Sequence, residues 1–248
     1  MRIGAFEVHE PLPELREPHV LATLRPWVDV NNVGTLTLDE LETRLGAQEL
    51  AQLARPGHFF DFTRYRPMIY SEGEVRRLKI PNATLSYARR EQGNDFLLLR
   101  LLEPHMLGEE FVESLLDLLK AFKVKRYCLL GSMYDAVPHT KPLLVSGRAT
   151  GAGAEKEMKK AGVQPSNYQG PTSIASLLPL LASDLGMETM TFIVSLPQYV
   201  NLDEDYLGKV RLMEILNVLY DIPIEKKDFD KAARQRSLIN QKVEGSPE

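Results

Sequence analysis

The sequence predicts an α/β protein with three layers, α/β/α, in which helices cover both faces of a mostly parallel sheet that also carries an antiparallel hairpin. Short apolar runs typical of buried strands alternate along the chain with longer amphipathic runs typical of helices. Residues 96–102 and 126–130 are almost continuously apolar, as strands in the middle of a parallel sheet are. The 248 residues are 44% hydrophobic, so we expect one domain over residues 1–248, with C-terminal helices (about 204–242) packed on it.

The first half of the chain is predicted to contain two strands, a helix and a hairpin. The apolar run at residues 19–24 predicts the first strand, and the leucine spacing over residues 35–50 predicts a helix. The leucines on its apolar face are Leu38, Leu41, Leu45 and Leu50. The aromatic run at residues 58–62 favours a second strand. Residues 68–71 and 75–80 flank a glycine-containing turn, which predicts an antiparallel hairpin lying as a flap on the main sheet.

The second half is predicted to alternate strands with helices. Its strands are expected at residues 96–102, 126–130, 143–146 and 189–196. Its helices are expected at residues 109–122, 155–161, 170–185, 203–220 and 227–242. The small residues at 148–153 predict a loop between a strand and a helix.

Composition excludes several classes of partner. A net charge of −4 with 26% charged residues gives no reason to expect nucleic acid or an anionic membrane surface, because both require clustered excess Lys and Arg. No apolar run approaches the ~20 residues of a membrane span, and the N-terminus lacks a signal-peptide pattern. The single cysteine, Cys128, lies in an apolar strand, so an inert core thiol is favoured over a reactive one. These features predict a cytoplasmic protein.

Polar side chains follow four of the predicted strands. The carboxyl ends of parallel strands meet at one edge of a sheet, where ligands bind in open α/β folds. We therefore predict that eight residues line one crevice at this edge: Asp29, Asn31, Arg66, Glu103, Asp135, His139, Lys141 and Tyr199. Either the crevice binds a ligand, or Asp135 and His139 hold the turn by internal hydrogen bonds; the prolines beside His139 favour the second interpretation.

Catalysis and metal binding are weaker hypotheses for this edge. Ser132, Asp135 and His139 could form a hydrolytic triad, but the nucleophile elbow G-x-S-x-G is absent. Glu103 and His105 could join Asp135 and His139 around a metal ion, but no ligand spacing supports this, so neither a metal nor a cofactor is expected.

Basic residues leave one further choice open. Arg66, Lys141 and the start of the helix at Gly170 could together bind a phosphate or a carboxylate. Arg66 could equally form a structural ion pair with Asp61 or Glu103.

Several motifs across residues 20 to 200 resemble those of the proteasome assembly chaperone 2 family. They are W-x-D-x-x-x-x-G, DF-x-x-x-RP, an EP after the central strand, G-x-x-x-D-x-VPHT-K-P, Y-x-G-P-T and LP-x-YV. The residues that carry them are Trp27, Asp29, Gly34, Asp61, Phe62, Arg66, Pro67, Glu103, Pro104, Gly131, Asp135, Val137, Pro138, His139, Thr140, Lys141, Pro142, Tyr168, Gly170, Pro171, Thr172, Leu196, Pro197, Tyr199 and Val200. The VPHT-K-P block is the most specific of them.

The resemblance implies a fold similar to that of nucleoside phosphorylases, homo-oligomeric assembly with a trimer favoured, and no established catalytic activity. It implies a non-catalytic, assembly-chaperone-like or protein-interaction role with an unknown partner. The alternative is a small-molecule enzyme or binding protein that holds a nucleoside-like or anionic ligand in the crevice. Some eukaryotic and archaeal relatives dock on proteasomes through a C-terminal hydrophobic-tyrosine-any-residue tail. Residues 245–248 lack that pattern, so we expect a prokaryotic member without this route of docking.

Overall fold

The computed structural model describes residues 1–73 and 75–244, so the tail at 245–248 lies outside it. Its strands, in chain order, are β1 (Arg2–Ile3), β2 (Phe6–Val8), β3 (His19–Arg25), β4 (Gln48–Leu53), β5 (Met68–Glu72), β6 (Val75–Lys79), β7 (Thr84–Ala88), β8 (Phe96–Leu102), β9 (Arg126–Asp135), β10 (Val145–Thr150), β11 (Gln164–Pro165) and β12 (Glu188–Pro197). Its α-helices are α1 (Val33–Leu45), α2 (Gly108–Ala121), α3 (Ala152–Lys160), α4 (Ile174–Asp184), α5 (Tyr206–Tyr220) and α6 (Lys226–Glu244).

The centre of the large sheet is parallel. The strand order is β1-β2-β4-β7-β8-β3-β9-β12-β10-β11. The four strands from β8 to β12 run parallel to one another. On either side of them, β7 pairs with β8 and β10 pairs with β12 in the antiparallel sense. This arrangement, with helices on both faces, confirms the predicted α/β fold class.

Two apolar clusters fill the spaces between the sheet and its two helix layers. One cluster includes Phe111 of α2 and Leu178 of α4. The other includes Leu38 of α1, Met158 of α3 and Leu212 of α5. The last helix, α6, packs on α5. The side chains at the strand ends therefore meet different helices according to the face on which they emerge.

The strand predicted at residues 58–62 is wrong. Residues Pro56–His58 form a 3-10 turn instead. The rings of Phe59 and Phe60 pack against Phe111, with centroids 5.1 and 5.9 Å away. The aromatic residues thus anchor a loop to α2. Strand propensity cannot distinguish an aromatic run that packs on a helix from one that forms a strand.

The helix predicted at 35–50 is too long. Gly46 ends α1 in the left-handed conformation, with a φ of 60°. Leu50 consequently belongs to β4, which the sequence did not predict, and β7 was also missed. In the second half, β9 continues to Asp135, five residues past its predicted end, and the loop expected at 148–153 is divided between β10 and α3.

The predicted hairpin is confirmed, but its position differs from the prediction. Gly73 supplies the positive φ of the turn, at 63°. The two strands β5 and β6 form a separate two-stranded sheet and do not pair with the main sheet. We call residues 68–72 and 75–79 the arm.

Candidate functional site

A segment of main chain lies between β3 and β9 at the predicted edge of the sheet. The two strands pair over only four residue pairs. Beyond them the carbonyl oxygen of Val28 accepts a hydrogen bond from the Ser132 N–H at 3.0 Å, and the Ser132 hydroxyl donates to the Val30 carbonyl at 2.6 Å. Gly131 permits this approach, because a Cβ there would lie 2.2 Å from the Val28 oxygen. We call residues 26–32 the plug.

Asp29 lies in the plug and fixes the start of α1. Its Oδ1 accepts a hydrogen bond from the Gly34 N–H at 2.6 Å. Its Oδ2 accepts the Thr35 hydroxyl at 2.5 Å and the Thr35 N–H at 3.2 Å. Burial raises the pKa of Asp29, although the hydrogen bonds from Thr35 and Gly34 oppose the rise. The carboxylate is engaged by the helix terminus, which is a structural role.

Asn31 connects the plug to β9 and α5. It adopts a left-handed conformation with a φ of 52°. Its Oδ1 accepts a hydrogen bond from the Tyr134 hydroxyl at 2.9 Å, and its carbonyl oxygen accepts one from the Asp205 N–H at 3.0 Å. Its buried Nδ2 has no hydrogen-bond partner among the described residues.

Asp135, His139 and Tyr199 lie at the ends of β9 and β12. The Tyr199 hydroxyl accepts a hydrogen bond from the His139 N–H at 2.8 Å and lies 2.8 Å from the His139 Nδ1. Asp135 accepts hydrogen bonds from its neighbour Ala136 at 2.7 Å and from the Gln198 N–H at 3.3 Å. These contacts favour the interpretation in which the turn is held internally.

Glu103 faces the opposite helix layer. Its carboxylate lies near the Ser173 hydroxyl and the Ile174 N–H at the start of α4. Burial raises the pKa of Glu103, and those two groups oppose the rise. Its Oε2 is buried without a partner in the part of the chain that the structure describes.

Arg66 and Lys141 are exposed, and neither side chain forms a hydrogen bond or an ion pair with residues 1–73 or 75–244. Neither alternative ion pair of Arg66 is formed. Asp61 faces Arg64 instead, with 3.9 Å between the Arg64 Nε and the Asp61 Oδ2.

The predicted crevice residues therefore fall into separate groups of contacts. His139 lies beside Arg236 of α6, which donates a hydrogen bond to the Thr140 carbonyl at 2.7 Å, whereas Glu103 contacts α4. Among the described residues no hydrogen bond joins the two groups, and a single crevice stays a prediction. The Ser132 hydroxyl is buried and bonded to the plug, so it does not meet His139 as a triad would require.

Sequence reasoning missed a buried ion cluster that joins three helices. The Lys209 ammonium of α5 lies 3.2 Å from Glu40 of α1 and 2.7 Å from Asp228 of α6. Burial alone would raise the pKa of Glu40, but the Lys209 charge and hydrogen bond hold it below its usual value. A lysine at an otherwise apolar helix position was the available signal.

Cys128 is fully buried, and burial raises its pKa to about 11, so the thiol stays protonated at neutral pH, as the sequence predicted for an inert core thiol. No three His, Cys, Asp or Glu side chains in the described ranges are placed to hold a metal ion. No helix in the same ranges has the length and apolar character to cross a membrane.

Comparisons with solved structures support the fold. A PAC2 family protein from Streptomyces avermitilis is 25% identical, with a TM-score of 0.82 over 90% of this chain and 95% of that one. A proteasome-assembly chaperone homologue from Mycobacterium tuberculosis is 23% identical, with a TM-score of 0.82 over 92% of this chain and 97% of that one. PbaB, an archaeal proteasome activator from Pyrococcus furiosus, is 17% identical, with a TM-score of 0.75 over 98% of this chain and 100% of that one.

A search of curated proteins found no match. The sequence model of the PAC2 family, in contrast, matches residues 23–243, which is most of the chain. The resemblance seen in the motifs is thereby confirmed, and the chain belongs to the PAC2 family.

Proposed function

We propose that this chain is a homo-oligomeric, non-catalytic protein-interaction protein with an assembly-chaperone-like role, and that the arm makes its main protein contact. The observation that carries the proposal is the exposure of the arm. All of its described residues are exposed to solvent. Met68, Ile69, Val75 and Leu78 each expose 58% or more of their surface. Apolar surface of this kind marks a site of protein contact.

The physics of small sheets supports the same conclusion. A two-stranded hairpin alone is at best marginally stable in water, and among the described residues no third strand pairs with the arm. Ile69 and Leu78 are directly opposite on the two strands, so they form one apolar pair on one face. A partner that covers this face would stabilise the arm and remove the pair from water.

A second copy of the chain fits the arm by charge. The arm contains three basic residues and one acidic residue, whereas the whole chain carries a net charge of −4. The arm of one copy and the body of another are therefore opposite in sign, which favours their association. We propose a trimer, in which each arm contacts the next copy around a closed ring.

The relatives support an interaction role beyond self-association. One structural neighbour is named a proteasome-assembly chaperone homologue, and another is named an archaeal proteasome activator. Both names describe proteins that act on other proteins. We infer that this chain likewise binds another protein. We place this interaction in the cytoplasm, because proteins there keep their cysteines reduced, as the free buried Cys128 is.

The test uses the double variant Ile69→Thr with Leu78→Thr. Threonine keeps the strand propensity of the arm but removes its apolar pair. Light scattering should give the wild type a mass three times the 28.1 kDa of one chain, and the variant the mass of one chain. The matched control, Ser71→Thr, lies on the same face and should keep the wild-type mass.

Two results would contradict the proposal. If the wild-type protein scatters as a monomer at micromolar concentration, the chain is not a homo-oligomer. If the double variant keeps the wild-type mass, the arm is not part of the interface. Affinity capture from the native cell, with wild type and double variant side by side, then tests whether another protein is bound.

The alternative function, a small-molecule enzyme or binding protein at the strand-end crevice, has less support. Asp29 and His139 already have protein partners there. Saturable binding of a nucleoside that changes the NMR chemical shifts of His139 and Tyr199 would favour this alternative.

A further inference from the structure

A cavity of about 700 Å³ lies between the loop after β8 and residues 57–64. Its volume falls within the range typical of small-molecule sites. Its walls come from two loops and include Gly57, Asp61, Phe62, Arg64, His105 and Met106. We call it the Phe62 cavity.

The two loops of the Phe62 cavity are joined to each other by hydrogen bonds and by a ring contact. The carbonyl oxygen of Phe59 accepts hydrogen bonds from the N–H groups of His105, at 2.8 Å, and Met106, at 3.2 Å, so the two loops are tied together. The ring of Tyr65 packs on His105, with centroids 4.4 Å apart. A site held in this way loses little conformational freedom when a ligand binds.

One wall of the cavity is apolar and flat. The ring of Phe62 lies against the backbone of Gly57, where a Cβ would be 3.1 Å from the ring. Phe62 is 37% exposed and Met106 is 44% exposed. Both side chains line the cavity, and a ring together with a thioether suits an aromatic group.

The other wall offers hydrogen-bond donors. The Asp61 N–H donates to the His105 Nδ1 at 3.1 Å, so Nδ1 is an acceptor and Nε2 carries the ring proton. Within the described residues that Nε2–H has no acceptor. Arg64 is 72% exposed, and its nearest carboxylate, on Asp61, is 3.9 Å away, which is beyond hydrogen-bond distance.

The Asp61 carboxylate is held by Thr63 and lies near the Arg64 guanidinium without a hydrogen bond to it. Its Oδ1 accepts the Thr63 N–H at 2.8 Å and the Thr63 hydroxyl at 2.7 Å. These hydrogen bonds lower the pKa of Asp61, so the group is ionised and attracts Arg64 at neutral pH. The guanidinium N–H groups of Arg64 remain available.

We propose that the Phe62 cavity is a binding site for a small aromatic anion, whose ring packs on Phe62 and Met106 and whose carboxylate or phosphate group is bound by Arg64 and the Nε2–H of His105. This inference does not depend on the arm or on the oligomeric state. The shared chemistry is a ring that carries a negative charge, and aromatic carboxylates and phosphates both provide it.

The test titrates the full-length protein with phenyl phosphate, phenylacetate, benzyl alcohol and inorganic phosphate. The methionine methyl groups are labelled with ¹³C, and the Met106 signal is assigned with Met106→Leu. Phenyl phosphate or phenylacetate should shift the Met106 signal saturably, with a Kd of about 1 mM for ligands of this size. Benzyl alcohol and inorganic phosphate should each bind about tenfold more weakly, because benzyl alcohol lacks the negative charge and inorganic phosphate lacks the ring.

Two variants make the test specific. Arg64→Gln should weaken phenyl phosphate about tenfold, and Phe62→Ala should weaken it by a similar factor. The matched control is Arg89→Gln, an exposed arginine beyond β7 at the amino end of β8, and it should bind like the wild type. The proposal is overturned if Met106 shows no saturable shift, if benzyl alcohol binds as tightly as phenyl phosphate, or if Arg64→Gln binds like the wild type.

Discussion

Replacing Asp29 by alanine should strongly destabilise the protein without any ligand being involved. The change removes the acceptor for the Gly34 N–H and for the hydroxyl and N–H of Thr35. Loss of a side-chain acceptor for the first N–H groups of a helix costs ~0.5–2 kcal/mol, and each hydrogen bond to a charged group is worth ~1.5–3 kcal/mol. Removing the buried charge, whose pKa is raised by burial, offsets part of this loss. We expect a net loss of about 3 kcal/mol in the free energy of unfolding.

The assay is thermal and urea unfolding followed by circular dichroism. For a chain of this length a loss of about 3 kcal/mol corresponds to a decrease in Tm of about 6–12 °C. Asp135→Ala is the matched control, because the Asp135 side chain is exposed and, among the described residues, accepts a hydrogen bond from its neighbour's N–H alone; its loss should stay below about 0.5 kcal/mol. If the two variants unfold at the same temperature, Asp29 is not a structural carboxylate.

Two further predictions concern histidines. Burial, reinforced by Arg126, lowers the pKa of His19 to about 4 from 6.5, so the unfolded chain binds a proton that the folded protein does not as the pH falls below 6.5. Between pH 6.5 and 5 the wild type should lose about 1.5 kcal/mol more than His19→Gln in urea unfolding, and equal losses would contradict this assignment. His139→Ala should cost about 0.5–1.5 kcal/mol in thermal unfolding, because its contact with Tyr199 is exposed; Tyr199→Phe should cost a similar amount, and an unchanged midpoint in both would remove the structural role of the pair.

The parts of the fold that depend on long, periodic patterns could be predicted from the sequence. Both α2 and β8 lie within about a residue of their predicted bounds, since an unbroken apolar face or run leaves few alternatives. The short strands β4 and β7 were missed because neither has a long apolar run, and their pairing is decided by neighbours distant in the chain. The aromatic run at 58–62 failed for the same reason: its contact with Phe111 is tertiary.

The candidate site was predicted as a set of residues that follow strands. The topology places the carboxyl ends of these strands at one edge of the sheet. The sequence could not say which face of the sheet each side chain meets, and this is why Glu103 and His139 have contacts with different helix layers. It also could not reveal that the Asp29 carboxylate binds the start of α1. A carboxylate that binds a helix start and one that lines a ligand crevice cannot be distinguished from the sequence alone. The Phe62 cavity depends on Phe59 joining two loops, a contact with no sequence signature.

The plug changes what this sheet can be used for. The chain leaves β3 toward one side of the sheet and leaves β9 toward the other. In open α/β sheets, ligands bind in the crevice between two such strands. Here seven residues of main chain occupy that place, with the Val28 carbonyl against Gly131 and no room for a side chain between them. A molecule that reached the middle of the sheet would first have to separate Val28 from Ser132. A binding site at the middle of the sheet is thereby disfavoured, and the proposed sites, on the arm and in the Phe62 cavity, both lie outside the plug.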